Sequence, residues 1–201
     1  MIKPFLYRPV DPYIVNQGFG QNMTCTDIKT GKKYISCDGT KPPAGYKSIY
    51  SKMNGHNGLD LNAKRWQKVY CAAKGKVTDV STEVDRGLGV CVTTETEGKF
   101  FVHKYWHLIA LDVEVGDEVD ISTLLGYADS TGMSTGDHLH FEVKEVTSKG
   151  KIVNYNNGYF GAIDPAPLMI PVFALKYSLM LQLREKLAEL LDKLSDKTRG
   201  K

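Results

Sequence analysis

"GDHLHFEVK", Gly136–Lys144, is the stretch that decides the fold. Side chains along a strand alternate between faces. Leu139, Phe141 and Val143 therefore share one face, and His138, His140, Glu142 and Lys144 share the other. The segment reads as a strand with an apolar back and two imidazoles side by side on its polar front. One histidine there is ordinarily a polar surface residue. Two at i, i+2, directly after the Gly-rich "DSTGMSTGD" (Asp129–Asp137), point to a metal or catalytic site.

Similar short runs fill much of the chain: "KVYCAA" from Lys68, "GKVTDV" from Gly75, "GVCVTTE" from Gly89, "KFFVHKYWHL" from Lys99 and "EVDIS" from Glu118. Gly, Asp and Asn turns separate them, which predicts a mainly β, antiparallel domain. "AAKGKVTDV" and "VEVGDEVD" echo each other as Gly/Val turns of the kind found in barrel-sandwich folds. A lipoyl or biotinyl carrier would need a lysine at a hairpin tip between methionines, and none is present. Between Gly20 and Met53, a polar stretch containing "DGTKPPAGY" reads as a hairpin and loop insertion, about residues 21–52.

The last segment differs. From Phe173 to Leu194, Met180, Leu183, Leu187, Leu190 and Leu194 recur at helical spacing and predict an amphipathic α-helix. Pro165, Pro167 and Pro171 separate it from the sheet. The expected organisation is a β domain over 1–172 and a helical tail over 173–201. The tail either packs on the domain or docks a protein partner or a second copy; two heptads are few for an independent coiled coil.

Composition bounds the partners. The chain has 201 residues, enough for a real core, with 42% apolar and 24% charged residues. Residues 174–201 carry seven basic and four acidic side chains, and the rest is neutral with nineteen of each. No dense basic block argues for nucleic acid. No apolar run is long enough to span a membrane. The start, "MIKPFLYRPVDPYIV", is broken by prolines and lacks the pattern of a signal peptide.

The four cysteines contain no C-x-x-C. A hairpin centred on Gly31 would set Cys25 and Cys37 directly opposite each other, as a cross-strand disulfide needs; two free thiols are the alternative. Cys71 and Cys91 sit in apolar runs and read as buried small hydrophobes.

Of five histidines, four fall into chemical patterns. In "MNGHNGLDLN" (Met53–Asn62), His56 precedes Asp60 by four residues, one face of a strand or a helix. Gly55 and Gly58 disfavour a helix and permit a tight backbone beside a crowded site. A neutral nitrogen and a carboxylate oxygen are both accepted by Zn2+. His56, Asp60 and one of His138 and His140 make three ligands, leaving an open position for water and further histidines for proton transfer. His107 ends the aromatic run "YWHL". His103, four residues earlier, could share its face and otherwise reads as structural or surface.

Together these motifs resemble the lysostaphin/LytM-type zinc endopeptidases. The family pattern is H-x-x-x-D, then Y-x-H-L, then H-x-H after a Gly/Ser/Thr-rich turn. Here these are "HNGLD", "YWHL" and "STGMSTGDHLHFEV", with "QGFGQ", "VYCAAKGKV", "VEVGDEV", "LLGYADSTG" and "IDPAPLM" around them. The likeness covers roughly residues 14–170. It implies a sheet with a groove, a Zn2+ held by His56, Asp60 and His140, and His107 and His138 as the catalytic pair, one the general base. It implies hydrolysis of peptide bonds in peptidoglycan stems or cross-bridges. Family members cut different cross-links, and loop shape selects among them. Without a leader or wall-binding repeat, the chain resembles phage lysins or virion-borne wall-cutting proteins, released by a holin or carried on a particle. The alternatives are a wall-binding module without turnover and a virion structural component.

Overall fold

The computed structural model describes residues 2–21, 25–34, 44–48, 50, 52–171, 186 and 187. Its strands are β1 (Val15–Gln17), β2 (Cys25–Asp27), β3 (Lys33–Tyr34), β4 (Tyr46–Ser48), β5 (Leu59–Asn62), β6 (Lys68–Tyr70), β7 (Gly75–Glu83), β8 (Gly87–Thr96), β9 (Lys99–Leu111), β10 (Glu118–Val119), β11 (Leu124–Ala128), β12 (His138–Val146) and β13 (Ala162–Ile163). A 3-10 turn, Ala166–Leu168, follows. Ten strands form one antiparallel sheet in the order β1-β5-β12-β9-β8-β7-β10, with β11 joining β9 to β6 and β13 on β12. The protein is mainly β, as its alternating runs predict. β2, β3 and β4 make a separate three-stranded sheet.

The chain divides into two units, Met1–Met169 and Ile170–Lys201. In the second, Lys186 and Leu187 are helical and exposed; otherwise the helix expected over Phe173–Leu194 lies outside the described residues. Among the described residues no helix is long and apolar enough to cross a membrane.

The pleat of β12 works as its sequence predicts on one side. Leu139, Phe141 and Val143 are fully buried and join Leu59, Leu61, Val90, Val92, Phe101 and Tyr105 in the core. The other side departs from expectation. His140, Glu142 and Lys144 are buried too, and so is Trp106, which pairs with His140 across β9. The Lys144 ammonium lies 2.6 Å from Glu142 Oε1. Burial pushes the Glu142 pKa up, but this ammonium, with His140 and Arg86 nearby, outweighs it and keeps the carboxyl ionised.

The β2–β3 turn also corrects an expectation. Cys25 stands opposite Tyr34, and Thr26 opposite Lys33. Asp27 Oδ1 accepts the backbone N–H groups of Lys29 and Thr30 at 2.8 Å, and Asp27 O accepts that of Gly31 at 2.9 Å. These bonds tighten the turn ahead of Gly31, which closes it at φ 69° rather than marking its centre. Cys25 is disulfide-bonded, and Cys37 lies outside the described residues. Cys71 and Cys91 are free and buried. Burial raises the pKa of both thiols, that of Cys91 to about 12, and holds them protonated and unreactive.

His103 is a core residue. It is fully buried, with Nε2 2.8 Å from Thr94 Oγ1 and Nδ1 3.1 Å from Tyr105 Oη, which in turn accepts Ala72 N–H at 2.8 Å. Burial depresses its pKa to about 3. An unfolded histidine titrates near 6.5. Between these values the unfolded chain binds a proton that the native one refuses, so stability falls as pH drops below about 6.5. His103→Ala is expected to cost about 2–4 kcal/mol near neutrality, through a cavity and two lost hydrogen bonds. It should also flatten the loss of stability between pH 6.5 and 4. Urea melts at pH 7.5 and 5 check both; equal stability of variant and wild type at both pH values would refute the core role.

Candidate functional site

Asp60 is on β5 and His140 on β12, and the two residues are direct cross-strand partners. His140 Nδ1 lies 2.9 Å from Asp60 Oδ1. His56 arrives from the loop before β5. Its Nε2 is 3.1 Å from Asp60 Oδ1 and 3.0 Å from His140 Nδ1. The spacing in "HNGLD" thus joins a loop and a strand rather than one regular element.

Gly58 makes this approach feasible. A Cβ there would meet Phe141 O at 2.5 Å and His140 Cε1 at 2.9 Å. The loop carrying His56 lies directly on β12, and only a residue without a side chain fits between.

His138, two residues before His140, reaches Asp60 Oδ1 at 3.5 Å through Nε2. His107 comes from β9. Its ring centroid is 4.6 Å from that of His138 and 6.0 Å from that of His140. Strict alternation from Trp106 would point His107 into the core. A bulge prevents this: Leu88 pairs with Leu108, but Val90 pairs with Tyr105, so β9 has one extra residue there. His107 takes φ 64°, and His107 and Trp106 both leave the core face. His103 therefore does not share the face of His107, although it stands four residues away.

Backbone carbonyls fix the tautomers. A carbonyl only accepts, so each imidazole Nδ1 facing one carries the hydrogen. His56 Nδ1 donates to Gly18 O at 3.1 Å, His107 Nδ1 to Thr131 O at 2.6 Å, and His138 Nδ1 to Gly136 O at 2.7 Å. Each neutral ring then has its lone pair on Nε2. The Gly-rich turn before β12 supplies two of these carbonyls. At Gly132, φ 79°, a Cβ would strike Gly87 N at 2.3 Å, so the turn seats against the start of β8 only with glycine there.

The electrostatics follow from burial and this crowding. Burial pushes the Asp60 pKa up, but hydrogen bonds to His138, His140 and His56 overcome it and hold the carboxyl ionised far below the usual range. Burial lowers the pKa of His140, and lowers that of His107 to about 4. Burial also opposes charge on His138, yet the Asp60 carboxylate and the Gly136 carbonyl outweigh it and raise that pKa.

His56, Asp60 and His140 each offer one ligand atom, all within 4.8 Å of one another. Two nitrogens and a carboxylate oxygen, each about 3 Å from the other two, place electron-rich atoms around one point. A cation satisfies such a set, and its composition fits zinc. The Nδ1–H bond of His56 to a backbone carbonyl is the outer support expected of a metal-binding histidine.

Two neighbours carried no local sequence signal. Tyr50 sits with its ring 6.0 Å from His56, its hydroxyl accepts Gln17 Nε2–H at 3.0 Å, and burial raises its pKa to about 12. Trp106 lies over Gly89, with the guanidinium of Arg86 5.6 Å from its ring. The contribution of Gly18 O has a trace in the sequence, since "QGFGQ" is part of the family likeness.

An antiparallel sheet with a His/Asp cluster on one face can hold a metal ion beside two further histidines. The chain belongs to peptidase family M23, whose model matches residues 54–155. Membership implies a bound metal, typically zinc. An uncharacterized metalloprotease from Buchnera aphidicola subsp. Baizongia pistaciae is 27% identical over 101 residues, 50% of this chain and 26% of that protein. The glycyl-glycine endopeptidase ALE-1 of Staphylococcus capitis is 32% identical over 102 residues, 49% of this chain and 27% of that protein. The match thus spans about a quarter of the length of these curated relatives. The catalytic domain of the antimicrobial peptidase lysostaphin from Staphylococcus simulans shares the fold, with TM-score 0.53, 24% identity, and coverage of 77% of this chain and 90% of that one.

Proposed function

We propose that this chain is a zinc endopeptidase that hydrolyses peptide bonds in peptidoglycan stem or cross-bridge peptides, acting at the bacterial cell wall. The convergence of His56 Nε2, His140 Nδ1 and Asp60 Oδ1, with the His107–His138 pair beside it, carries this reading. The name of one relative, the glycyl-glycine endopeptidase ALE-1, supports peptide-bond hydrolysis in cross-bridge peptides as the reaction.

His56, Asp60 and His140 would hold the metal. Zinc bound there supplies a Lewis acid for the scissile carbonyl and makes a water acidic enough to attack near neutral pH. His107 presents an Nε2 lone pair to that space, because its Nδ1 hydrogen is committed to the Thr131 carbonyl. His138, with Nδ1 committed to Gly136, turns Nε2 toward the Asp60 carboxylate and offers a lone pair there only when its ring is neutral. One of them takes a proton from the attacking water, and the pair returns it to the leaving amine. The buried pocket around His107 keeps its ring neutral and able to accept at all but acidic pH. Asp60 remains an anion throughout.

The proposed division of labour along the chain is a peptidase domain over 1–172, with an insertion at about 21–52 walling the groove, and a helical tail over 173–201 that attaches the enzyme to a partner or a second copy.

The test is digestion of defined muropeptides from several wall types, read by mass spectrometry. Activity should vanish with chelator and return with added zinc, and the fragments identify the bond cut. Binding to walls without any chelator-sensitive cleavage would replace the enzyme by a wall-binding module.

A further inference from the structure

We propose that Trp66, Tyr127 and Tyr70 form a platform for the sugar chain of a peptide-bearing glycan, beside the histidine cluster. The inference rests on the peptidoglycan reading above for the identity of the polymer.

Trp66 is 56% exposed and has φ 66°, a left-handed backbone that a bulky side chain rarely adopts. The turn that holds it is tied on all sides. Trp66 N–H donates to Ala128 O at 2.9 Å, Ala128 N–H to Gln67 O at 2.9 Å, and Gln67 N–H to Lys64 O at 2.9 Å. Lys64 N–H donates to Gln67 Oε1 at 2.9 Å. The fold thus maintains a strained turn whose outcome is an indole standing in solvent. Strain kept at an exposed apolar group points to a use.

The surroundings extend the surface. The Tyr127 ring packs edge-on at 5.7 Å from that of Trp66, and its hydroxyl donates to Asp112 Oδ2 at 3.3 Å. Tyr127 pairs with Lys68 across β6 and β11, and Leu124 with Tyr70. Because Val69 is fully buried, the pleat sends Lys68 and Tyr70 outward, and Tyr70 is 36% exposed. The result is a Trp66–Tyr127 ring pair, with Asp112 on the tyrosine hydroxyl and with Lys68 and Tyr70 directed outward from the adjoining strand.

A pyranose matches that pattern. Its face is a patch of C–H groups with partial positive charge, which stacks on the electron-rich face of an aromatic ring. Its hydroxyl and N-acetyl groups lie at the rim, where Lys68 and Asp112 can hydrogen-bond them. Position favours the same occupant. Arg65, adjacent to Trp66, donates its N–H to Asp137 Oδ2 at 3.2 Å, and its Nε is 3.3 Å from Asp129 Oδ1. Asp137 precedes His138, and Asp129 bridges to His138 across the turn. The platform is therefore fastened to the rim of the cluster. A stem peptide lying over the histidines leads to its glycan strand within a few residues.

The chain has two tryptophans, and Trp106 is fully buried, so quencher-accessible emission reports on Trp66. The full chain is titrated with peptide-free glycan strands of N-acetylglucosamine and N-acetylmuramic acid. The expected result is saturable protection of Trp66 from iodide. Trp66→Gly is the decisive variant, because glycine accepts φ 66° without strain and the fold survives removal of the indole. In a pull-down with the same strands it should bind about tenfold more weakly, as loss of an aromatic anchor does. Tyr127→Ala should weaken binding in the same direction. Cleavage of short sugar-free peptides should be unchanged in Trp66→Gly, while release of fragments from intact walls falls. Equal glycan binding by wild type and Trp66→Gly overturns the platform. So does a concentration-dependent dimer of the wild type that Trp66→Gly abolishes, which would make the patch a self-association face. Glycan binding without peptide cleavage would overturn only the enzyme; peptide cleavage without glycan binding would overturn only the platform.

Discussion

Alanine at His56, Asp60 or His140 should strip zinc from the protein, whereas alanine at His107 or His138 should leave it nearly stoichiometric and still remove most turnover. The first three supply the atoms that meet within 4.8 Å, and two protein ligands leave too weak a site. The other two face the same space but have their Nδ1 atoms engaged by Thr131 and Gly136. Loss of a general acid or base typically costs about 10²–10⁴-fold in rate. Elemental analysis of the five variants beside a muropeptide assay separates the groups. His138→Ala without metal and His140→Ala with it would reverse the assignment within "HLH", and unchanged zinc in all five would end the metallopeptidase reading. His103→Ala is a poor neutral control, since it opens the core; Trp66→Gly is a better one for metal content.

Gly58→Ala should be the most damaging single methyl in the site. Its Cβ would lie 2.5 Å from Phe141 O, which is fixed by the sheet, and 2.9 Å from the His140 ring. Either the His56 loop lifts from β12 or the His140 ring swings out. Overpacking of this kind costs about 1–3 kcal/mol in stability. The displaced ring should also weaken metal binding about 10–100-fold, comparable to loss of an outer-shell support. Thermal melts and a competitive zinc titration measure the two effects. Wild-type zinc affinity in Gly58→Ala would show that the loop does not position His140.

The sequence determined what is periodic or local. Alternation along β12 was enough to assign Leu139, Phe141 and Val143 to the core and to set His138 beside His140, because a strand's period holds over a few residues. The residue types in "HNGLD" and the glycines around them announced a crowded site for the same reason. Tertiary structure decided what depends on pairing between distant strands. The extra residue on β9 that rescues His107 from the core exists only in register with β8, and a slip of one residue exchanges the faces of every side chain beyond it. That is why His103 and His107, four apart and alike in sequence, ended as a buried structural ring and a site ring. The Asp27 side chain tightens the β2–β3 turn ahead of Gly31, which sets Tyr34 opposite Cys25. The carbonyls of Gly18, Thr131 and Gly136 fixed the imidazole tautomers, and no pattern in side-chain identity encodes where a backbone carbonyl will point. Long-range packing alone brings such groups together, and it alone buried Glu142 and Lys144 on the face that alternation had marked as polar.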